Sequence, residues 1–149
     1  MSDYYTKFSL VLPLPDVAAQ TYAVELHRLA DSYSSEEPIP SDLPEDLKDY
    51  LEDWSFELET QLVEGRPGLW LYSDFGGIDA VCAFLQHLLQ KFDPDGKVAF
   101  EWSFDCSKHR VDAFGGGAAL ITATEIRSMT TQQWLQQQSD QTLHPSTQG

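Results

Sequence analysis

The sequence predicts one α+β domain: a ferredoxin-like sandwich with a mostly antiparallel sheet and two main helices on one face. Apolar and polar residues alternate with period two in several short segments, and apolar residues recur at helical spacing in two longer ones. These segments follow one another in the order β-α-β-β-α-β-β-α. We therefore expect four to five strands within residues 1–138, followed by a disordered C-terminal tail over 139–149.

The first strand and helix are predicted from alternation and capping. Residues 6–12 alternate between apolar and polar side chains, and Pro13 and Pro15 end the strand. Asp16 is a suitable N-cap for a helix with a clear apolar stripe. The stripe consists of Ala18, Tyr22, Leu26, Leu29, Ala30 and Tyr33. His27 lies off this stripe, so we expect it on the polar side of the helix.

A long acidic connection follows this helix. Between Glu36 and Glu64 the chain has eleven acidic residues and one basic residue, Lys48, which gives 1 − 11 = −10 out of a total of −15. Prolines break the part over 36–53 into extended pieces. A thin apolar stripe nevertheless predicts a short helix over 44–52.

The second half of the chain supplies the remaining elements. The predicted strands are 54–62, 69–73, 98–104 and 111–122, and the predicted helices are 78–92 and 131–138. Glu57 and Glu59 form the outer row of the first of these strands. The helix over 78–92 has the most regular apolar spacing, and a capping box formed by Thr130 and Gln133 marks the start of the last helix.

The overall charge and the scarcity of long apolar runs exclude several classes of function. The chain has nine Lys and Arg against 24 Asp and Glu, and its basic residues are scattered. Direct binding to nucleic acid needs clustered cations, so we expect none. No apolar run approaches the roughly 20 residues of a membrane span. With two cysteines and no signal-peptide pattern, a reducing cytoplasm is the expected location.

A glycine run, Gly115–Gly117, invites comparison with a phosphate-binding loop. Such loops precede a helix and usually carry a lysine, whereas strand-forming residues follow this run. A bulge or a close approach of the backbone is therefore favoured. We predict no cofactor and no metal site.

Cys106 and His109 lie three residues apart in a predicted polar loop over 105–110. A thiol nucleophile with a histidine base, or a metal site, would use these residue types. A small-molecule-binding or enzymatic domain with a site at the 105–117 hairpin is thus the alternative function. A solvated loop is favoured over it, because a zinc site needs two more strong ligands.

The acidic stretch supports the leading hypothesis: a small non-enzymatic interaction protein that binds a basic partner protein. In its sharper form the protein is a nucleic-acid mimic that inhibits a nucleic-acid-binding system. The predicted partner-binding residues are Glu45, Asp46, Asp49, Glu52, Asp53, Glu57 and Glu59. One acidic surface requires the connection over 36–53 to lie beside the exposed side of the next strand.

A third hypothesis, compatible with the first, is a homodimer formed through the sheet. Trp70 and Tyr72 alternate with Leu69 and Leu71, so one pair faces away from the other. If helices cover only one face of the sheet, this aromatic pair is either covered by the C-terminal segment or exposed as a partner surface. Coverage by the C-terminal segment is favoured.

Overall fold

A computed structural model describes residues 4–106 and 115–143. The strands are β1 (Tyr4–Pro13), β2 (Glu57–Val63), β3 (Arg66–Ser73), β4 (Lys97–Cys106), β5 (Gly115–Thr122) and β6 (Ile126–Thr130). The α-helices are α1 (Val17–Asp31), α2 (Ile78–Phe92) and α3 (Thr131–Leu143), and a 3-10 helix spans Glu45–Asp53. Among the described residues, no helix has both the length and the apolar character needed to cross a bilayer.

The strands form one open sheet in the order β2-β3-β1-β4-β5-β6, with every neighbouring pair antiparallel. The α+β class is confirmed. The predicted four to five strands and ferredoxin-like order are not exactly matched, because β6 adds a sixth strand and the sheet continues beyond β4 through β5 to β6. The sequence did not reveal β6, since its five residues are too few and too polar to show an alternation. Its pairing with β5 makes it a strand.

The helices α1 and α2 and the 3-10 helix pack on one face of the sheet. Alternate strand residues point toward them and form a continuous core, as period-two alternation predicts. The core residues from the strands include Phe8, Leu10, Leu12, Leu69, Leu71, Phe100, Trp102, Ala119 and Ile121. Consequently the opposite face of the sheet, here called the open face, carries the other half of each strand's side chains.

The start of α1 and the glycine run behave as the sequence predicts. The Asp16 side chain accepts a hydrogen bond from the Ala19 N–H at 2.8 Å, which caps α1. The glycine run lies within β5, where a Cβ on Gly117 would come within 2.2 Å of the Trp102 indole. The run therefore allows a close approach and does not form a loop before a helix.

The C-terminal helix is longer than the sequence indicates. Its predicted end is residue 138, and α3 extends to Leu143. Part of the predicted disordered tail, residues 139–143, is thus helical in the structure. Residues 144–149 lie outside the described part of the chain.

His27 is buried, and the expectation that it lies on the polar side of α1 was wrong. Its ring packs in an aromatic cluster with Trp54, Phe56 and Phe84. The Trp54 Nε1–H donates to Nδ1 of His27 at 3.0 Å. Trp54 and Phe56 turn into the core instead of forming a strand, so β2 begins at Glu57 and not at residue 54.

Burial lowers the pKa of His27, and the nearby charge of Asp31 opposes this only in part. A lowered folded-state pKa means that the unfolded chain binds the proton more readily. The stability that depends on neutral His27 is therefore complete above the unfolded pKa of about 6.5 and declines as pH falls below it.

We predict that His27→Asn reduces the loss of stability between neutral pH and the onset of acid unfolding. Asparagine has no titratable group in this range and retains an acceptor for the Trp54 N–H. Urea unfolding of the wild type and the variant at a series of pH values measures the effect. Equal slopes of unfolding free energy against pH below 6.5 would contradict the prediction.

Candidate functional site

The acidic 3-10 helix is anchored on the helical side of the molecule. Leu47 and Leu51 are buried and face α2, while the carboxylates between them point outward. The Asp53 carboxylate accepts a hydrogen bond from the Ala80 N–H at 3.2 Å and so caps the first turn of α2. Partial burial raises the pKa of Asp53, and this hydrogen bond opposes the increase.

Two more of the predicted partner-binding carboxylates have structural partners. Glu45 forms an ion pair with Lys48 at 2.8 Å, and Asp46 lies 3.0 Å from Nδ1 of His87. Asp49 and Glu52 are exposed. Among the five predicted residues on this helix, Asp49 and Glu52 are the two that form no ion pair or side-chain hydrogen bond within the described chain.

The structure extends the Asp46–His87 contact to a third residue. The Tyr22 hydroxyl lies 2.7 Å from Nε2 of His87, so a carboxylate, an imidazole and a hydroxyl follow one another. Catalytic triads use this order of groups to activate a nucleophile. Here burial, and secondarily the charge of Asp46, raises the pKa of Tyr22, which disfavours a phenolate.

The chain of contacts connects the 3-10 helix through α2 to α1. Tyr22 also packs edge-on against Phe92, and the Lys91 ammonium lies over its ring at 4.7 Å from the centroid. No sequence signal could have identified the group, because its members are separated by 24 and 41 residues and lie on three elements.

The other two predicted carboxylates, Glu57 and Glu59, lie on the open face of the sheet. Strand pairing places Glu57 opposite Tyr72 and Glu59 opposite Trp70. The connection and the acidic row of β2 therefore occupy opposite sides of the sheet layer. The predicted set does not form one continuous surface, because the apolar residues of the connection pack with the helices.

Trp70 and Tyr72 form a stacked pair on the open face. Their ring centroids are 4.2 Å apart, with an angle of 30° between the ring planes. The Trp70 indole N–H donates to Ser9 Oγ at 2.8 Å, and the Tyr72 hydroxyl donates to Glu59 at 2.5 Å. The C-terminal helix packs instead on β5 and β6, so it does not cover the pair.

Electrostatics at this pair are dominated by carboxylates. The hydrogen bond to Glu59 is the main cause of the raised pKa of Tyr72, followed by partial desolvation and then the charges of Glu59 and Glu57. We call Glu57, Glu59, Trp70 and Tyr72 the aromatic–carboxylate patch. On the neighbouring strand β1, Lys7 pairs with Asp105 at 3.6 Å.

The Cys106–His109 hypothesis lies largely outside the described residues. Cys106 is the last residue of β4, its side chain is not described, and His109 belongs to the segment 107–114. The enzymatic alternative at this hairpin therefore stays a prediction. The other cysteine, Cys82, is buried in α2, where burial raises the pKa of its thiol to about 12 and makes it unreactive at neutral pH.

No protein-family model matches this chain, and comparisons with curated proteins and with solved structures find no match. The aromatic–carboxylate patch is the strongest candidate, because it combines two half-buried, stacked rings on the open face with carboxylates that no basic side chain neutralises within the described residues.

We predict that Tyr22→Phe lowers the free energy of unfolding by about 1 kcal/mol, the usual loss for one intramolecular hydrogen bond. The Asp46–His87–Tyr22 contacts would then hold the 3-10 helix less firmly. Tyr33→Phe is the matched control, since the Tyr33 hydroxyl has no hydrogen-bond partner within the described chain. Urea unfolding measures both variants, and equal losses would contradict the prediction.

Proposed function

We propose that this protein is a non-enzymatic interaction protein that binds a basic partner protein through the aromatic–carboxylate patch. The observation that carries the proposal is the stacked, half-buried Trp70–Tyr72 pair, which lies on the open face of the sheet beside Glu57 and Glu59. Tryptophan and tyrosine are frequent anchors of protein interfaces. The carboxylates select a cationic partner.

Cations and this patch are complementary in two ways. A guanidinium or ammonium group is attracted to the face of an aromatic ring, at about 0.5–1 kcal/mol on an exposed surface. Its N–H groups can donate at the same time to a neighbouring carboxylate, and arginine can do so with two parallel bonds. The net charge of −15 adds long-range attraction that increases the association rate at low salt.

The nucleic-acid mimic is a narrower form of the same proposal. In this form the carboxylates occupy positions that phosphates would take on the partner. Glu57 and Glu59 are two residues apart on one strand, which is roughly 6.6 Å, and the phosphates of duplex DNA supply one charge per roughly 1.7 Å of axis. The patch would therefore imitate a few phosphates, with the exposed Asp49 and Glu52 on a different side of the molecule.

The proposal places the protein in the cytoplasm, where a basic nucleic-acid-binding partner would be available. An unpaired, buried thiol at Cys82 is in keeping with a reducing compartment.

We predict that Glu57→Gln/Glu59→Gln weakens binding to a labelled octa-arginine peptide by about three- to tenfold at low salt, because two exposed charge contacts are lost. The matched control is Asp49→Asn/Glu52→Gln, which changes the net charge equally on the helical side and should weaken binding less than about twofold. Fluorescence anisotropy titrations measure both. Equal weakening by the two variants would show that only the total charge matters and would overturn the proposal.

We further predict that the wild type binds octa-arginine more tightly than octa-lysine, since a planar guanidinium stacks on the aromatic pair. Trp70→Leu/Tyr72→Leu should abolish this preference, which we expect to be about two- to fivefold. Phe75→Leu removes an aromatic ring that is 72% exposed outside the patch and should leave the preference intact. A preference that survives loss of the pair would exclude a role for stacking.

A further inference from the structure

Helix α3 is attached to its own domain mainly through its first turn. The predicted capping box is present: the Thr130 N–H donates to Gln133 at 2.8 Å, and the Gln133 N–H donates to the Thr130 hydroxyl at 3.1 Å. Residues 131–141 are all exposed, including Trp134 at 53% and Leu135 at 57%. A glutamine-rich helix of this length is marginal in water without packing, which suggests that another surface completes it.

A shallow apolar groove of about 460 Å³ lies beside this helix on the open face of the sheet. Ala118, Met129 and Trp134 line it together with Glu101 and the backbone of Gly115–Gly117. Ala99 and Leu120 continue the apolar surface along the sheet. The small residues leave room for incoming side chains, so the groove can accept apolar groups from outside the domain.

The neighbouring strand β6 is a free edge of the sheet. The Thr122 N–H donates to the Glu125 carbonyl at 2.9 Å. This bond fixes which residues of β6 direct their peptide groups toward β5 and which direct them away from it. By this alternation the peptide groups of Ile126 and Ser128 point away from β5, and no other strand of the described chain pairs with them. Such an edge is a template for pairing with another strand.

This part of the molecule is almost uncharged, although the protein is strongly acidic. Residues 115–143 contain one basic and two acidic residues, so their balance is 1 − 2 = −1, compared with −15 for the whole chain. They also contain half of the ten large apolar side chains that are exposed in the described residues. These are Leu120, Ile126, Met129, Trp134 and Leu135.

We propose that β6, α3 and the groove between them form the interface of a homodimer. A basic partner is attracted by carboxylates, of which this surface has few: Glu101 lines the groove, and Glu125 is in an ion pair with Arg127. Its complement is a second neutral, apolar surface with an unpaired strand edge, and a second copy of the chain presents one. Two copies that each carry −15 repel one another least when their neutral ends meet.

A two-fold axis fits this surface. Antiparallel pairing of two β6 strands about Ser128 would join the two sheets into one, with the same patch used by both copies. Thr130, the residue before α3, is two residues from Ser128, or roughly 7 Å along the strand. Both α3 helices would thus start close to the axis, with Trp134 and Leu135 buried between the copies.

Sedimentation equilibrium of the full chain tests this proposal. We expect the mass to rise from 16.8 kDa toward twice that value with increasing protein concentration. We also expect added salt to favour the dimer, because it screens the repulsion between two acidic chains. Binding of a basic partner responds to salt in the opposite direction, so the two proposals can fail independently.

Trp134→Gln/Leu135→Gln should shift the mass to that of the monomer, and the domain should still unfold cooperatively in urea because both side chains lie outside its core. Leu62→Gln is the matched control: Leu62 is 74% exposed on β2, the opposite edge strand, and this variant should dimerise like the wild type. Three results would overturn the proposal. The wild type could stay at 16.8 kDa, the dimer could persist undiminished in Trp134→Gln/Leu135→Gln, or Leu62→Gln could weaken the dimer equally.

Discussion

The buried indole of Trp54 holds the acidic connection against the helices. Its N–H donates to His27, and its ring packs with Phe56 and Phe84 in the aromatic cluster. Leu47 and Leu51 extend the same apolar contact along the connection toward α2. Because these side chains all face the helical layer, the carboxylates between them must point outward on that side. This packing separates them from the acidic row of β2.

Because helices cover only one face of the sheet, the side chains on the other face are left to form the open face. In β3 the alternation that buries Leu69 and Leu71 turns Trp70 and Tyr72 to the open side. At the β2–β3 end this produces an aromatic surface with carboxylates. At the β5–β6 end it produces an apolar surface with little charge, beside the exposed helix α3.

The two ends of the sheet therefore suit partners of different chemistry. Salt weakens attraction between carboxylates and a basic partner, whereas it relieves repulsion between two acidic copies. β2 and β6 are opposite edges of the sheet. A dimer formed through β6 would leave both aromatic–carboxylate patches free at its far ends. Such a dimer could bind a partner with two basic sites more tightly than either patch alone, provided that the spacing of the sites matches.

Much of the fold could be predicted because it depends on sequence patterns between residues that are close together in the chain. The Asp16 cap, the Thr130–Gln133 capping box and the apolar stripe of α2 each involve residues at most four positions apart, and all are present in the structure. The α+β class follows from the order of these patterns. The acidic character of the protein follows from composition alone.

The rest was decided by contacts between distant segments. β6 exists through its pairing with β5, His27 is buried because Trp54 and Phe56 reach it, and Asp46, His87 and Tyr22 meet across three elements. The sequence by itself determined which residues alternate and how much charge the chain carries. Only the tertiary structure decided on which side of the sheet each carboxylate lies. The reason is that this depends on which part of the core the apolar residues of the 36–53 connection pack against.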